Sequence, residues 1–304
     1  MFWFTGNYLP LRTRLLSQRL PKPRKLVRDT LGLGPSLGWC GTLEVRLATT
    51  AREIRKAQRL RYKVFYEEGA ARPDRTAALI RRDICVFDKV CDHLIVVDHA
   101  AHSRLGRLKP KIVGTYRLLR QEVAEANLGF YSAGEFGIAP LLARHPGKNF
   151  LELGRSCVAL AWRGKRTLEL LWRGLWAYVQ HHRVDVMIGC ASLPGTNALA
   201  LAMPLSFLHA HARAEGDWAV EGLPGRAVPA GLFVASALNS RKALASLPPL
   251  VKGYLRAGAK FSASAVIDRQ FGTTDLLVIL PVAEISERYV AHFGGGEPVR
   301  REAA

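Results

Sequence analysis

The feature that most constrains this chain is an apolar segment at residues 150–158, followed by a basic turn and a long amphipathic segment at 165–182. The first segment fits a strand, and in the second apolar residues recur at helical spacing from Leu168 to Val179. Residues 184–191 then form an apolar run with the length of a strand buried on both faces. Strand, helix and strand in this order predict an α/β fold, a mixed sheet with helices packed on it.

Other segments predict further elements of the same fold. Residues 43–48 alternate as a half-buried strand does, and Thr49 or Thr50 then caps a helix. A Lys/Arg-rich turn near Gly106 separates two apolar runs and predicts an antiparallel pair of strands. The predicted elements after residue 90 are strands at 93–98 and 112–119, a helix at 197–211, and short strands over 253–281, clearest at 275–280.

Composition limits the class of protein and its partners. The 304 residues are 49% hydrophobic, enough to bury one sizeable core. The net charge of +19 predicts an acidic partner, which could be nucleic acid, an anionic membrane face, an acidic carrier protein or a phosphorylated ligand. The charge is not accompanied by a nucleic-acid-binding motif, so we expect no nucleic acid.

The five cysteines are scattered, without a CxxC pair or a His/Cys spacing that suits zinc. We therefore expect no metal site and reduced thiols in the cytoplasm. The N-terminus lacks the apolar core and cleavage site of a signal peptide. Residues 186–208 are free of charge, but Pro194, Gly195 and Pro204 interrupt them, so a strand, a turn and a helix are predicted instead of a membrane span.

Residues 1–40 are predicted to be a separate segment from a globular domain at 41–293 and a disordered tail at 294–304. Their seven cations face a single anion, Asp29, and follow an aromatic start that includes Phe2 and Trp3. This pattern suits a segment on an anionic membrane surface, which would make the protein peripheral at the inner membrane. A solvated, poorly ordered leader explains the same residues equally well, and an RNA-binding arm explains them less well.

The basic turn itself is Arg163-Gly164-Lys165-Arg166-Thr167. Free main-chain amides at a helix N-terminus, a helix dipole and nearby cations together favour an anionic ligand. Neither GxGxxG nor GxxxxGK[ST] follows a strand here, so a Rossmann or P-loop nucleotide site is not predicted. An ordinary helix start with solvated cations is the alternative.

Several longer motifs carry a family resemblance. In chain order they are RYKVF at 61–65, FDKVCDH at 87–93, GTYRLL at 114–119, FYSAGEF at 130–136, LELGRSC at 151–157, GCAS at 189–192, PLSFLH at 204–209, LPPLVKGY at 247–254 and VIDRQFGTTD at 266–275. Over roughly residues 43–293 the chain resembles the bacterial L-ornithine Nα-acyltransferases of ornithine-lipid synthesis. It is also similar to the acyl-homoserine lactone synthases.

The resemblance implies a GNAT-like acyltransferase fold with a C-terminal extension. It implies transfer of a 3-hydroxyacyl group from acyl carrier protein to the α-amine of L-ornithine, giving lyso-ornithine lipid. No cofactor is expected to be bound, because the donor is the acyl-phosphopantetheine of the carrier protein. The basic turn would then hold the pantetheine phosphate through Arg163, Gly164, Lys165, Arg166 and Thr167.

Candidate site residues follow from these motifs. Glu152, Arg155 and Arg117 are the predicted catalytic residues, with Glu152 as the base or, alternatively, as the ion-pair partner of one of the arginines. Oxyanion stabilisation is expected from main-chain amides of the strand that ends at Val158. The predicted substrate-binding residues are Arg61, Phe65, Asp88, Asp92, Glu135 and Asp268.

Other residues carry weaker hypotheses. Cys157 and Cys190 are expected to be buried and not nucleophilic. His93 and Asp98 match the HxxxxD motif of glycerolipid acyltransferases, which we take as coincidence because both fall on a predicted strand. Gly137 and Asn197 replace acidic residues that are usual in the family, which leaves the acceptor open. Acyl transfer to another amino acid or to an autoinducer-type acceptor, and a catalytically inactive basic membrane- or nucleic-acid-binding protein, are the competing functions.

Overall fold

The computed structural model describes residues 33–102 and 106–286. The described strands form one sheet in the order β1-β2-β3-β4-β5-β6-β10-β9-β7, with β8 beside β10. In chain order they are β1 (Gly38–Cys40), β2 (Leu43–Leu47), β3 (Asp92–Asp98), β4 (Lys111–Arg120), β5 (Phe150–Val158), β6 (Val186–Pro194), β7 (Ala227–Pro229), β8 (Lys260–Phe261), β9 (Ser264–Asp268) and β10 (Thr273–Pro281).

Helices connect the strands and cover the sheet. They are α1 (Ala51–Tyr62), α2 (Arg75–Ile80), α3 (Gln121–Glu125), α4 (Ile138–Ala143), α5 (Lys165–His181), α6 (Ala202–Ala212), α7 (Ser240–Ser246) and α8 (Pro249–Ala257). Short turns of other helix types include a π-turn directly after α1 (Lys63–Glu67) and a 3₁₀ turn, Tyr131–Gly134, that proves important for the site. The predicted mixed sheet with packed helices is confirmed.

Within the described sheet, β5 and β6 form the parallel pair and the other neighbouring strands are antiparallel. The long helix α5 is the crossover between β5 and β6, as expected of a parallel connection. Each of the two strands has nine residues, yet they pair only over Phe150–Glu152 and Val186–Ile188. The ladder between the two strands ends at Glu152 and Ile188.

Local signals explain where the helices begin and pack. Thr50 caps α1 and forms a reciprocal capping box with Glu53, which satisfies two main-chain donors of the first turn.

Helix α5 packs so closely on the sheet that a Cβ at Gly174 would lie 2.5 Å from a methyl carbon of Val45. A side chain there would force the helix from the sheet, so we expect even Gly174→Ala to disturb this packing.

Three sequence predictions need correction. The helix predicted from residue 197 begins at Ala202, because Asn197 accepts hydrogen bonds from the amides of Leu199 and Ala200 and forms a turn first. The first part of the region predicted as strands, 253–281, is the end of α8, which starts with Pro249 and stops at Gly258 in the left-handed conformation. The sheet begins at Gly38, before the predicted boundary at residue 41.

The predicted leader and tail lie largely outside the described residues. In the described residues, no helix is both long and apolar enough to span a bilayer. The expected break of the uncharged stretch into strand β6, a turn and helix α6 is confirmed.

Candidate active site

A cavity of about 350 Å³ opens where β5 and β6 cease to pair. Residues 152–156 of β5 and 190–192 of β6 line it, together with the π-turn after α1, the loop before α8 and the turn between β9 and β10. The cavity therefore lies at the edge where the two parallel strands end. Open α/β sheets hold their ligands at such positions.

A bulge in β5 places Arg155 in this cavity. Arg117 of β4 pairs with Gly154 and Thr115 pairs with Cys157, so two residues of β5, Arg155 and Ser156, face one residue of β4. Arg155 takes up a left-handed conformation with φ of 53°. A non-glycine residue in this region carries strain, and a bulge re-aims the side chain of the strand. Here the bulge turns Arg155 toward the cavity.

The Arg155 guanidinium is stacked between two aromatic rings. Its central carbon lies 4.9 Å from the ring centre of Tyr131 and 4.2 Å from that of Phe271, and both rings line the cavity. Its Nε lies 3.4 Å from a carboxylate oxygen of Asp83. Two ring faces and one carboxylate fix the plane of the guanidinium, which suits bidentate recognition of a carboxylate. Phe65 packs edge-on against Phe271 and also lines the cavity, and its contact with substrate stays a prediction.

Arg61 does not contact the cavity, contrary to its predicted substrate-binding role. It is completely buried and donates from Nε to Asp83 at 2.8 Å and from Nη2 to Asp88 at 2.7 Å. The Asp88 carboxylate, also predicted to bind substrate, faces away from the cavity and accepts hydrogen bonds from Gln58 and the Cys85 amide as well. Burial alone would raise the pKa of Asp88, but the Arg61 guanidinium holds that pKa well below its usual range. Arg61 and Asp88 therefore brace the site from behind.

Arg117 connects this buried network to the cavity. Its Nη1 lies 3.7 Å from Asp88, and its guanidinium lies over the rings of Phe87 and Tyr131 at 5.5 and 5.4 Å. Arg117 is buried and lines the cavity, yet Nη1 has no hydrogen-bond acceptor. A buried cation with an unused donor favours an anionic partner.

Glu152 lines the cavity, but its partners are main-chain groups that sequence patterns do not show. One carboxylate oxygen accepts the Tyr131 amide and the other the Ser132 amide, each at 2.7 Å. The ion pair considered as an alternative, with Arg117 or Arg155, does not occur among the described contacts of Glu152. Glu152 thus anchors the 3₁₀ turn that carries the Tyr131 ring over Arg155.

Carboxyl groups form another part of the cavity wall. Asp268 and Asp275 line it, and the buried carboxyl of Glu135 lies behind them. Burial, reinforced by the charges of Asp275 and Asp268, raises the pKa of Glu135 to about 7. Burial likewise raises the pKa of Asp275 to about 6. Ligand atoms of Glu135, Cys190 and Asp275 lie within 4.8 Å of one another, a spacing that one cationic group can bridge.

Asp92 is not part of the cavity, so its predicted substrate contact is wrong. Its carboxylate accepts a hydrogen bond of 2.7 Å from the hydroxyl of Tyr178 on α5. Asp92 begins β3, and its partner lies on a helix that packs against that strand. Its position in the FDKVCDH motif is therefore explained by packing between a strand and a helix.

The basic turn opens α5 as predicted. Gly164 occupies the N-cap without a side-chain acceptor for the first amides of the helix, and Arg163, Lys165 and Arg166 are exposed. Arg163 is held by the Val158 carbonyl at 3.0 Å and by Glu68 at 2.5 Å. Thr167 is buried, so its side chain does not lie on the exposed surface of the turn. An anion at this turn would meet helix amides and the cations of Lys165 and Arg166.

The other chemical candidates have different positions. Cys157 is buried as predicted, and burial raises its pKa to about 12. Cys190 is half-buried and lines the cavity, in contrast to its predicted burial, and desolvation and the charge of Glu135 raise its pKa well above the usual range. His93 is buried at the Asp88 carbonyl, whereas Asp98 accepts from Thr42 and Trp162. His93 and Asp98 thus hydrogen-bond to different groups, which agrees with a coincidental match to the HxxxxD motif.

Sequence patterns missed several residues that shape the site. Tyr131, Asp275 and Phe271 lie within motifs that carried the family resemblance, so a signal existed, but no role was assigned to them. Asp83 lies in no such motif, and its role depends on contacts with Arg61 and Arg155 that only the fold brings together. The side-chain oxygen of Asn197 accepts from the amides of Leu199 and Ala200, turn contacts that an aspartate would also form.

Comparison with known proteins identifies the family. The model of the acetyltransferase (GNAT) domain matches residues 60–173, from the last turn of α1 to the middle of α5. An L-ornithine N(alpha)-acyltransferase of Agrobacterium fabrum is 55% identical over 88% of this chain and 89% of that protein. One of Rhizobium meliloti is 50% identical over 85% of this chain and 86% of that protein.

Among solved structures, FeeM, an N-acyl amino acid synthase from uncultured soil microbes, matches 80% of this chain and 92% of its own, with 11% identity and a TM-score of 0.46. The expected GNAT-like acyltransferase fold is confirmed by the domain match and by the curated relatives. The matches to these curated relatives extend over more than four fifths of the chain. The chain therefore belongs to the family of L-ornithine N(alpha)-acyltransferases.

Proposed function

We propose that this enzyme transfers a 3-hydroxyacyl group from acyl carrier protein to the α-amine of L-ornithine and forms lyso-ornithine lipid. The observation that carries the proposal is that both signs of charge line one cavity: the arginines Arg155 and Arg117 and the carboxylates Asp268 and Asp275. Ornithine carries a carboxylate at one end and a second ammonium at the other. The names of the curated relatives support the same acceptor.

The α-carboxylate of the acceptor is assigned to Arg155, with Arg117 beside it. Stacking on Tyr131 and Phe271 holds the Arg155 guanidinium in place before the substrate arrives, which lowers the entropy cost of binding. Arg117 offers the buried Nη1 that lacks an acceptor. The two arginines would bind the carboxylate at the end of the cavity next to Glu152 and would bring the α-amine toward β5.

The side-chain ammonium is assigned to the carboxyl cluster of Glu135, Asp268 and Asp275. Burial and the charges of neighbouring carboxylates favour the protonated forms of Glu135 and Asp275. A cation between these groups reverses this preference and favours their ionised forms. Binding of ornithine would therefore release protons near neutral pH, whereas an amino acid with an apolar side chain would meet a costly acidic wall.

The chemistry requires a neutral amine, a stabilised oxyanion and a protonated thiol leaving group. The amine nitrogen attacks the thioester carbonyl, the C–N bond forms, and the C–S bond breaks when the tetrahedral intermediate collapses. Each oxygen of Glu152 accepts one main-chain hydrogen bond and can accept another, so Glu152 can take the amine proton directly or through water. That proton is then passed to the departing pantetheine sulfur.

The β5 bulge is the proposed source of oxyanion stabilisation. The ladder to β6 ends at Glu152, and the ladder to β4 skips a residue at Arg155 and Ser156. A bulge leaves one residue without its regular partner, which makes main-chain amides of this stretch suitable donors to a developing oxyanion. Lys165, Arg166 and the first amides of α5 are assigned to the phosphate of the pantetheine arm.

Release of carrier thiol tests the function. Purified protein is incubated with 3-hydroxyacyl carrier protein and, in parallel, with ornithine, lysine, norvaline or homoserine lactone, and products are identified by mass spectrometry. We expect ornithine to give the highest rate and an Nα-acyl product. A preference for another acceptor would replace ornithine in the proposal, and no release with any acceptor would favour a catalytically inactive protein.

A further inference from the structure

An exposed apolar loop lies between β7 and α7. Residues 231–237 are exposed without interruption, and Leu232, Phe233 and Val234 are 37%, 45% and 70% exposed. The base of the loop is fixed, because the buried Ser206 hydroxyl accepts the amides of Leu232 and Phe233, both at 2.9 Å. The fold therefore presents three consecutive apolar side chains on an anchored turn. Their exposure to water is unfavourable, and a partner that covers them would remove this exposure.

The surroundings of the loop are positively charged. Residues 222–267 contain six Lys and Arg residues and no Asp or Glu, and of the six, Arg226 and Lys260 pair with Glu135 and Glu284 outside this segment. Arg241 and Lys242 are exposed in the first turn of α7, immediately after the loop, and Leu244 of the same helix is 44% exposed. Apolar side chains next to cations, without acidic residues, complement an anionic lipid surface.

The same segment continues into the cavity. Pro248, which precedes α8, and Leu250 and Val251 in the first turn of α8 form an apolar part of the cavity wall. An acyl chain transferred in this cavity becomes the tail of an amphiphile, whose favourable destination is a bilayer. The exposed loop and the cavity wall are thus parts of one apolar, acid-free segment.

We propose that residues 231–246, the membrane-docking surface, place the enzyme on an anionic bilayer. Phe233 and Val234 enter the interfacial region, Arg241 and Lys242 contact lipid headgroups, and the acylated product leaves beside this surface. Three apolar side chains at the tip of a loop are better suited to insertion between lipids than to packing against the surface of a folded protein. The acidic carrier protein has its own expected position at the basic turn before α5.

Sedimentation of the full chain with vesicles tests this surface without any need for turnover. Vesicles of phosphatidylglycerol and of phosphatidylcholine are compared for the wild type, Phe233→Ser/Val234→Ser and Arg241→Gln/Lys242→Gln. The matched control is Leu79→Ser, which changes an 85% exposed leucine of α2. Since all of these side chains are exposed, thermal unfolding should be unchanged.

We expect the wild type to prefer phosphatidylglycerol and the apolar variant to bind roughly tenfold more weakly. The charge variant should lose about fivefold for each cation and become less sensitive to salt. The control should bind as the wild type does. Equal binding of all variants, or no vesicle binding by the wild type, would overturn the proposal. Unchanged vesicle binding with a raised KM for acyl carrier protein would assign the surface to the carrier instead.

Discussion

Glu152 combines two roles in one carboxylate. It lines the cavity, and it holds the turn of Tyr131 through two main-chain hydrogen bonds. Because Tyr131 lies over Arg155, the position of Glu152 also determines how the guanidinium is held. The base hypothesis and a bracing role are therefore compatible, and they differ in what a single substitution should do.

Glu152→Gln replaces one acceptor oxygen with an amide that faces a main-chain N–H. We expect a loss of about 1–3 kcal/mol in the free energy of unfolding, since one buried donor loses its acceptor. Turnover should fall by a factor of about 10²–10⁴ if the carboxylate takes the amine proton. Denaturant unfolding and carrier-thiol release measure the two effects, with the exposed Glu122→Gln as control. Lower stability with wild-type turnover would leave Glu152 a bracing residue only.

The raised pKa values of Glu135 and Asp275 predict a pH dependence of acceptor binding. Below pH 6 both carboxyls are protonated and cannot pair with an ammonium; they ionise as the pH rises through about 6 and 7. The KM for ornithine should therefore decrease between pH 6 and pH 8 by more than the KM for norvaline. Norvaline has the same α-amine and α-carboxylate, so it corrects for their titration. Parallel pH profiles for the two amino acids would remove the carboxyl cluster from acceptor recognition.

At the scale of elements, the separation of β5 from β6 creates the site. Periodicity predicted both strands and the helix between them, because each has a long and regular apolar pattern. The bulge at Arg155 and the end of pairing after Glu152 depend on register between strands, which no local pattern encodes. The three-residue strands β1 and β7 were missed for a related reason, since they are too short to show alternation.

Helix α8 shows a different kind of error. Residues from Gly253 onward were predicted to be strands, although Pro249 and Gly258 mark a helix start and stop nine residues apart. Apolar residues at helical spacing, Val251, Tyr254 and Ala257, are its buried positions. For this segment, the helix start at Pro249 and the helix stop at Gly258 indicate the observed structure, whereas the strand pattern of the residues that follow does not.

The basic turn before α5 predicts a separable effect on the donor. Lys165→Gln/Arg166→Gln should raise the KM for acyl carrier protein several-fold and weaken its salt dependence, because two exposed cations near helix amides are lost. The KM for ornithine should not change, since neither residue lines the cavity. Steady-state kinetics with each substrate varied in turn measure both, and exposed Lys148→Gln is the control. A raised KM for ornithine alone would contradict this assignment.

At the scale of the whole molecule, the sequence was sufficient for the fold class and the acyltransferase family. Ordered motifs spread over most of the chain carried that resemblance, and curated relatives at 50–55% identity confirm it. Individual roles were harder to predict, because a motif does not show which side of the sheet a residue faces. Arg61 and Asp88 belong to such motifs but lie behind the site, where breaking their buried pair would cost about 3–5 kcal/mol.

The carboxyl cluster is the most specific claim about the whole cavity, because it accounts for a diamino acid as acceptor. Asp275 is buried and lines the cavity, and no sequence pattern assigned it a role. Replacing it with asparagine keeps its size and removes its charge. Norvaline, which is ornithine without the side-chain amine, is the matched substrate.

The most direct measurement is the ratio of kcat/KM for ornithine to that for norvaline, in the wild type and in Asp275→Asn, at pH 8. We predict a strong preference for ornithine in the wild type and a loss of at least about tenfold of that preference in the variant, which corresponds to about 1.4 kcal/mol of a buried ion pair. Activity with norvaline should persist in the variant and show that the acyl-transfer machinery is intact. An unchanged ratio in a folded, active Asp275→Asn enzyme would contradict the account.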